Sequence, residues 1–228
     1  MGILTLREQH ATFFGDASTT TLAANIFDRV CVINLRHRSE RLARFQSRVA
    51  TALWPFRHVE VFKAADGNGV SPPSGWRSGS GAWGCACSHR AILTQAIADK
   101  LESVLILEDD AVWGPNFTIE IANFLAAVPT DWEILMLGGQ HMVRPEPARP
   151  GIVRCLKTVR LHAYGIRGPA IADLLTLWEG ATAHIDWLFA RWIASRRVYA
   201  PSPWIIGQDE GQSDTAGGKQ VGVRYWQE

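Results

Sequence analysis

Three consecutive carboxylates follow an apolar run in the middle of the chain: Glu108, Asp109 and Asp110, within the segment VLILEDDA at 104–111. In an open α/β sheet the ligand crevice lies beyond the carboxyl ends of the strands, which is where this cluster falls. Three adjacent acids at the edge of a core repel one another and lose hydration, so a positive partner is expected. A hard divalent cation with oxygen ligands suits them and leaves positions for water and phosphate oxygens. A strand that ends in a polar turn gives the same pattern, because Asp favours turns.

A basic cluster stands at the junction of another predicted strand, which ends at Asn34 and Leu35, with the helix that follows it. Its members are Arg36, Arg38 and Arg41. Guanidinium groups and the amides of a helix N-terminus both suit a diphosphate. A solvated basic helix face that continues through Arg44 and Arg48 explains the same residues. The sequence has neither a Walker nor a Rossmann glycine fingerprint, which disfavours a mononucleotide kinase or a dehydrogenase.

Strands and helices must position these clusters, and the spacing of apolar residues predicts strands that alternate with helices along the chain. Strands are predicted at 29–35, 57–63, 103–107, 132–137 and 156–162, and helices from 38, at 88–101, from 116, at 168–178 and at 185–194. Long loops rich in Gly, Ser or Pro are predicted at 66–84 and 141–151. Strands that alternate with helices favour an α/β fold with a mostly parallel central sheet flanked by helices. We expect one domain over 1–228, with a poorly defined N-terminal segment at 1–28 and an irregular tail at 201–228.

Composition narrows the classes of protein. The chain has 228 residues, is 47% hydrophobic and carries a net charge of +1. It is therefore large enough to bury a full core, and it has no global charge that would favour a polyanion such as nucleic acid. The sequence shows neither a signal peptide nor an apolar run of membrane-spanning length, so a cytoplasmic protein is expected.

The four cysteines do not form a paired pattern. Cys85 and Cys87 could be half of a metal site, but a second Cys/His pair at a useful spacing is missing, and buried free thiols explain them too.

Eight short blocks, in this order along the chain, resemble glycosyltransferase family 25, which includes lipooligosaccharide galactosyltransferases and collagen galactosyltransferases. The blocks are VINLRHRSERLARF, KAADG, GCACSHRAIL, VLILEDDA, WEILMLGG, LHAYGIRGPA, HIDWLF and QSDT. They run from about Val30 to Asp214, most of the chain. The resemblance implies a GT-A type fold, a UDP-sugar donor, a Mn²⁺ or Mg²⁺ ion and inversion at the anomeric carbon.

The resemblance also implies roles for single residues. Glu108, Asp109 and Asp110 match the acidic motif that holds the metal against the donor diphosphate, and Asp214 matches the Ser-Asp block assigned to the same metal. The residues matched to nucleotide-sugar binding are Asn34, Leu35, Arg38, Arg41, Asp66, Ser88, His89 and His162. Gly67 belongs to the same block as Asp66. Ser88 could instead be a helix N-cap, and His162 could instead be a satisfied core residue.

Asp186 in the HID block is predicted to be the general base. An inverting transfer needs one carboxylate that takes the proton of the acceptor hydroxyl. An Asp that opens a helix is also a common first-turn residue, and Asp209 and Glu210 are alternative bases. Trp83 or Trp187 could stack on a sugar ring.

The predicted reaction moves a hexose, galactose or glucose, from a UDP-sugar to an acceptor hydroxyl on a cell-surface oligosaccharide. A protein or a modified base in phage DNA is an alternative acceptor, although the small net charge makes nucleic acid an improbable partner. Two other classes remain open: a nucleotidyltransferase, and a nucleotide-sugar-binding module without catalysis. No membrane span is expected, and peripheral association of the transferase with a membrane is left open.

Overall fold

The computed structural model describes residues 25–212 and 219–220. Five α-helices run through this part of the chain: α1 (Ser39–Thr51), α2 (Ser80–Ala98), α3 (Phe117–Ala127), α4 (Pro169–Glu179) and α5 (Ile185–Trp192). The first seven strands are β1 (Arg29–Asn34), β2 (Val59–Lys63), β3 (Ser103–Glu108), β4 (Ala111–Trp113), β5 (Ile134–Met136), β6 (Gln140–His141) and β7 (Glu146–Arg149). The remaining strands are β8 (Ile152–Arg154), β9 (Thr158–Val159), β10 (Ala163–Arg167), β11 (Val198–Pro201), β12 (Ile206–Gln208), β13 (Gly211–Gln212) and β14 (Lys219–Gln220).

A single eight-stranded sheet organises the fold, in the order β2-β1-β3-β10-β5-β11-β8-β7. β1 pairs in parallel with both β2 and β3, and β5 pairs in parallel with β11. β10 and β8 are antiparallel to their neighbours, and all the other strands of this sheet share one direction. The predicted α/β class with a mostly parallel sheet is confirmed. The carboxyl ends of β1, β2 and β3 meet at one edge, where the ligand crevice of an open α/β sheet is expected.

Helices cover both faces of the sheet, and β3 shows this most directly. Val104 and Ile106 face one apolar cluster, which includes residues of α2, α4 and α5. Leu105 and Leu107 face a second cluster, which contains residues of α1 and α3. Successive side chains of a strand point to opposite faces, so a strand buried on both sides must be apolar throughout. This requirement explains the continuous run SVLIL.

Three regions differ from the sequence prediction by more than a few residues. α2 begins at Ser80 rather than at Ser88, so the predicted loop at 66–84 is shorter. The loop predicted at 141–151 contains β7, which pairs with β8 across a turn where Gly151 has φ 72°. The strand predicted at 156–162 is confirmed only over β9, because Arg160, whose φ of 69° interrupts an extended backbone, separates β9 from β10.

Both ends of the described chain are more ordered than the sequence indicated. Phe27, within the segment predicted to be poorly defined, is buried and packs against Gly165. β12, within the tail predicted to be irregular, pairs with β4 directly after the acidic cluster. Within residues 25–212 and 219–220, no helix is both long and apolar enough to cross a membrane.

Candidate functional site

A cleft of about 850 Å³ opens where β1, β2 and β3 end. The predicted site residues that line it are Leu35, Arg41, Asp66, Ser88, Glu108, Asp109, Asp110 and Asp186. They come from distant parts of the sequence, and the sheet edge brings them together. The cleft is therefore the candidate functional site.

The three carboxylates of the acidic cluster point to different partners. Asp109 accepts a hydrogen bond from Asn34 Nδ2 at 2.6 Å through one oxygen, and its other oxygen lies 2.5 Å from Arg41 NH2. Asn34 also donates to the main-chain oxygen of Arg38, the residue before α1. Asp109 therefore ties the end of β3 to the start of α1 while it lines the cleft.

Asp110 is the least compensated of the three. Its Oδ2 lies 2.9 Å from Arg41 NH2 and 3.5 Å from Gln208 Nε2, whereas its Oδ1 has no hydrogen-bond partner among the described residues. Burial raises the pKa of Asp110 to about 7, and the charges of Glu108 and Asp109 add to this effect against the opposing charge of Arg41. A buried carboxylate with an unpaired oxygen that faces a cleft is well suited to a hard cation.

Glu108 faces α2. Its Oε1 lies 3.5 Å from Nε2 of His89, which is fully buried. Burial acts to raise the pKa of Glu108, but the contact with His89 outweighs it, so the pKa lies below its ordinary value. Glu108 is therefore ionised at neutral pH and adds a second negative group to the cleft wall.

Asp186 lies in the first turn of α5 and lines the same cleft. Its Oδ2 accepts a hydrogen bond from the main-chain N–H of Arg160 at 2.9 Å, and its Oδ1 lies 3.3 Å from His184 Nδ1. Burial acts to raise the pKa of Asp186, but the hydrogen bond and charge of His184 hold that pKa below its ordinary value. Burial acts to lower the pKa of His184, but the hydrogen bond with Asp186 and the charge of Asp186 raise it above its ordinary value.

Arg160 and Gln208 form a bridge that sequence reasoning missed. Arg160 NH1 donates to Gln208 Oε1 at 3.0 Å, and Arg160 Nε donates to Gln140 Oε1 at 3.0 Å. Because Gln208 also contacts Asp110 and the main-chain N–H of Arg160 donates to Asp186, this bridge connects Asp110 with Asp186. The positive φ of Arg160 and the short strand that carries Gln208 leave no periodic signal in the sequence. His184 was detectable, since it precedes Asp186 by two residues at a predicted helix start.

Ser88 is not a helix N-cap, because it lies inside α2. Its Oγ accepts from the main-chain N–H of Ala65 at 2.9 Å and donates to the carbonyl oxygen of Gly84 at 2.8 Å. It therefore holds the segment after β2 against the helix. Asp66, in that segment, accepts a hydrogen bond from the main-chain N–H of Asn68 at 2.9 Å.

Four predicted donor-binding residues sit next to the cleft lining. Asn34 and His89 are buried behind Asp109 and Glu108, as described above. His162 is fully buried, with Nε2 3.3 Å from the carbonyl oxygen of Ile206, and burial lowers its pKa to about 4. Arg38 NH1 lies 3.9 Å from Glu40 Oε1. The environment of His162 is that of a core residue.

The remaining candidates are distributed around the site. Asp209 pairs with Arg48 of α1 at 2.5 Å. Trp187 lines the cleft and is 48% exposed, whereas Trp83 packs against Trp76 and the core. Asp214 lies outside the described residues.

The fold and site define an α/β protein with an acidic cleft at the carboxyl ends of its parallel strands. The family model described as "Glycosyltransferase family 25 (LPS biosynthesis protein)" matches residues 27–163, which is more than half of the chain. The chain belongs to glycosyltransferase family 25, and its α/β sheet agrees with the GT-A type fold that the resemblance implies.

Two relatives illustrate the range of the family. Procollagen galactosyltransferase 2 of Mus musculus is 25% identical over 168 residues, which cover 64% of this chain and 26% of the relative. "Probable inactive glycosyltransferase 25 family member 3" of Rattus norvegicus is 30% identical over 141 residues, which cover 53% of this chain and 24% of the relative. The chain spans about a quarter of the length of these relatives.

The likeness of this chain to solved structures is weaker than its likeness to the two relatives. A glycosyltransferase involved in the glycosylation of the major capsid of PBCV-1 is 12% identical with a TM-score of 0.35, over 66% of this chain and 65% of that one. A UDP-glucose pyrophosphorylase complexed with UDP-glucose is 10% identical with a TM-score of 0.39, over 76% of this chain and 72% of that one. TM-scores of this size do not establish a shared fold.

Proposed function

We propose that this protein is a metal-dependent, inverting hexosyltransferase that moves galactose or glucose from a UDP-sugar to an acceptor hydroxyl. One observation carries the proposal: Asp110, with an oxygen unpaired among the residues the structure describes, and the ionised Asp186 line the same cleft. A transferase of this kind needs one carboxylate for the metal on the donor and another for the proton of the acceptor. Membership of the glycosyltransferase family supports the same reading.

On the donor side, Asp110 and Glu108 would hold Mn²⁺ or Mg²⁺, which neutralises the negative charge that grows on the departing diphosphate. Asp109 supports this arrangement indirectly, because its two oxygens bind Asn34 and Arg41. Arg41 lines the cleft and adds a positive charge on the donor side. Ser88 and Asp66 shape the wall that the nucleotide would contact.

On the acceptor side, Asp186 would accept the proton of the attacking hydroxyl. The new bond forms between the acceptor oxygen and the anomeric carbon as the bond from that carbon to the diphosphate breaks, and UDP leaves with the electron pair. His184 and the main-chain N–H of Arg160 hold the carboxylate ionised and oriented for this role. The half-exposed indole of Trp187 offers a flat apolar surface for a sugar ring.

The test is a comparison of product release. The full chain is incubated with a panel of UDP-hexoses and Mn²⁺, Mg²⁺ or chelator, and release of UDP is measured with and without acceptor saccharides. We expect metal-dependent UDP release that depends on the sugar. Pyrophosphate release from nucleoside triphosphates would instead identify a nucleotidyltransferase. Nucleotide-sugar binding without any turnover would place the chain with relatives named as inactive, such as the rat protein.

The acceptor we propose is a cell-surface oligosaccharide, assembled by a protein that works in the cytoplasm. The description of the family as an LPS biosynthesis protein supports this choice. The procollagen galactosyltransferases make a protein hydroxyl the next acceptor to assay. A modified DNA base comes last, because the net charge of +1 gives little attraction to a polyanion.

A further inference from the structure

A cysteine, a histidine and a carboxylate converge at the inner wall of the cleft. Cys85 and His89 are one helical turn apart on α2 and face the end of β3, which carries Glu108. The thiol sulfur, one ring nitrogen of His89 and one oxygen of Glu108 all lie within 4.8 Å of one another. Residues four apart on a helix share a face, so the helix itself presents the first two groups together.

The ring of His89 is oriented as a metal ligand would be. Its Nδ1 lies 3.1 Å from the hydroxyl of Tyr164, and the two rings stack. Its Nε2 is buried and lacks a hydrogen-bond partner within the described part of the chain, because the 3.5 Å contact with Glu108 Oε1 does not have hydrogen-bond geometry. In the tautomer whose Nδ1–H donates to the Tyr164 oxygen, Nε2 carries a lone pair, and an ion between Nε2 and Glu108 would replace the proton that makes His89 attractive to Glu108 in the ion-free chain. Partners that fix the tautomer in this way are typical of histidines that bind metal.

The chemistry of the three groups selects a particular class of ion. A thiolate, an imidazole and a carboxylate are the ligands of Zn²⁺, whereas Mg²⁺ and Mn²⁺ favour oxygen ligands. In a tetrahedral zinc site the nitrogen and oxygen ligands are about 3.4 Å apart, given metal–ligand distances of about 2.1 Å. The observed separation of 3.5 Å between His89 Nε2 and Glu108 Oε1 already has this value. Cys85 and Glu108 line the cleft, so the fourth position of such an ion would face it.

We propose that Cys85, His89 and Glu108 form a binding site for a thiophilic divalent ion of the Zn²⁺ class, which shares only Glu108 with the donor-metal site. The site goes beyond the proposed sugar transfer, although Glu108 belongs to both ligand sets. An ion held here would neutralise Glu108 and compete for that carboxylate with the metal of the donor.

Cobalt is the probe for the test, because Co²⁺ replaces Zn²⁺ and its thiolate complexes absorb in the near ultraviolet. The reduced, chelator-treated full chain is titrated with Co²⁺ in the absence of any nucleotide. We expect a thiolate-to-cobalt absorption band that saturates at one ion per chain and disappears when Zn²⁺ is added. Cys85→Ser should lose the band. Cys87→Ser should keep it, since Cys87 lies two residues further along the same helix and outside the cluster.

Absence of the band in the wild-type chain, its persistence in Cys85→Ser or its loss in Cys87→Ser would overturn the proposal. Glu108→Gln and His89→Gln should each weaken cobalt binding at least about tenfold. If His89→Gln fails to fold, Tyr164→Phe keeps the imidazole but removes the partner of Nδ1, and a similar loss is expected. Unchanged cobalt affinity in Glu108→Gln and Tyr164→Phe, with circular dichroism of the folded protein, would also refute the site. Because the titration omits nucleotides, its failure is distinguishable from a failure of UDP-sugar turnover.

Discussion

At the scale of single residues, the buried carboxylate of Asp110 has a cost in stability beside its proposed role in metal binding. Its pKa of about 7 in the folded chain exceeds the ordinary value near 4 that applies when the chain is unfolded. Between these two values the folded state binds more protons, so this residue's contribution to stability falls as the pH rises from about 4 to 7. Without metal, the ionised side chain therefore destabilises the fold above pH 7.

Asp110→Asn should separate these two effects. In metal-free buffer at pH 8, we expect the free energy of unfolding to increase by about 1 kcal/mol or more, since the amide is neutral at every pH. The gain should vanish near pH 4, and binding of Mn²⁺ should weaken at least about tenfold. Denaturant titrations and calorimetry measure these quantities. Asp173→Asn, which removes an acid paired with Arg196 away from the cleft, is the matched control and should show no gain at pH 8.

Asp186→Asn should affect turnover rather than binding. The amide cannot take the acceptor proton, so we expect kcat to fall by at least about 100-fold. Affinity for UDP with Mn²⁺, measured by calorimetry, should change by less than about threefold, because the proposed metal ligands are Glu108 and Asp110 rather than Asp186. Equal activity of the variant and the wild type would remove Asp186 from the proposed mechanism and leave Glu210 and Asp209 to be tested.

The sequence predicted that residues from several motifs would lie close together, and the structure confirms their placement, whereas their roles stay predictions. Glu108, Asp109, Asp110, Arg41 and Asp186 do meet in one cleft. The sequence could not separate the three acids, because only the fold shows that Asp109 is held by Asn34 and Arg41 while Asp110 keeps an oxygen unpaired among residues 25–212. Arg160 and Gln208 were missed for a related reason: their contacts depend on a backbone kink and on a short strand far along the chain.

At the scale of elements, a glycine contact sets how closely α2 approaches the segment after β2. A Cβ added to Gly67 would lie 1.9 Å from the main-chain oxygen of Ser80, the first residue of α2. Because the obstacle is backbone, a side chain here would have to push the helix away. The sequence analysis placed the start of α2 too late, because Gly81 and Gly84 are residues that usually disfavour a helix. In the structure Gly84 lies within α2, where the absence of a side chain permits close packing against Ala65.

Gly67→Ala should therefore destabilise the fold by about 1–3 kcal/mol and weaken UDP binding, because the moved segment carries Asp66. Gly69→Ala is the matched control in the same loop. Its added Cβ would meet only the Asp66 oxygen at 3.5 Å, which is ordinary van der Waals contact. We expect the control to change stability by less than about 0.5 kcal/mol. Chemical denaturation of both variants measures the difference, and equal values would contradict this account of the packing.

The apolar strands were the elements best predicted from sequence. β1 and β3 are buried on both faces, which forces continuous apolar runs that are visible without a structure. The small strands β4, β6 and β12 were not predicted. Each of them has three residues or fewer, so its pairing depends on tertiary position rather than on a local pattern.

At the scale of the whole molecule, binding of the donor should couple to unfolding of the entire chain. Mn²⁺ with UDP at about 100 times the dissociation constant should add about 2.7 kcal/mol to stability. For a domain of this size, that corresponds to an increase in Tm of about 5–10 °C. Differential scanning fluorimetry with UDP alone and with UDP, Mn²⁺ and excess chelator gives the controls. A shift that survives the chelator would argue against a metal at the diphosphate.

The pairing of β12 with β4 also bears on how the protein is made. The main-chain oxygen of Asp110 accepts a hydrogen bond of 2.7 Å from the N–H of Asp209, and Gln208 reaches the carboxylate of the same residue. During synthesis the acidic cluster leaves the ribosome long before these late residues, and domains generally fold as complete units. In a nascent chain arrested before β12, the acidic cluster would lack the strand that pairs with β4. We therefore expect binding at the acidic cluster to require that β12 has been synthesised and has paired with β4.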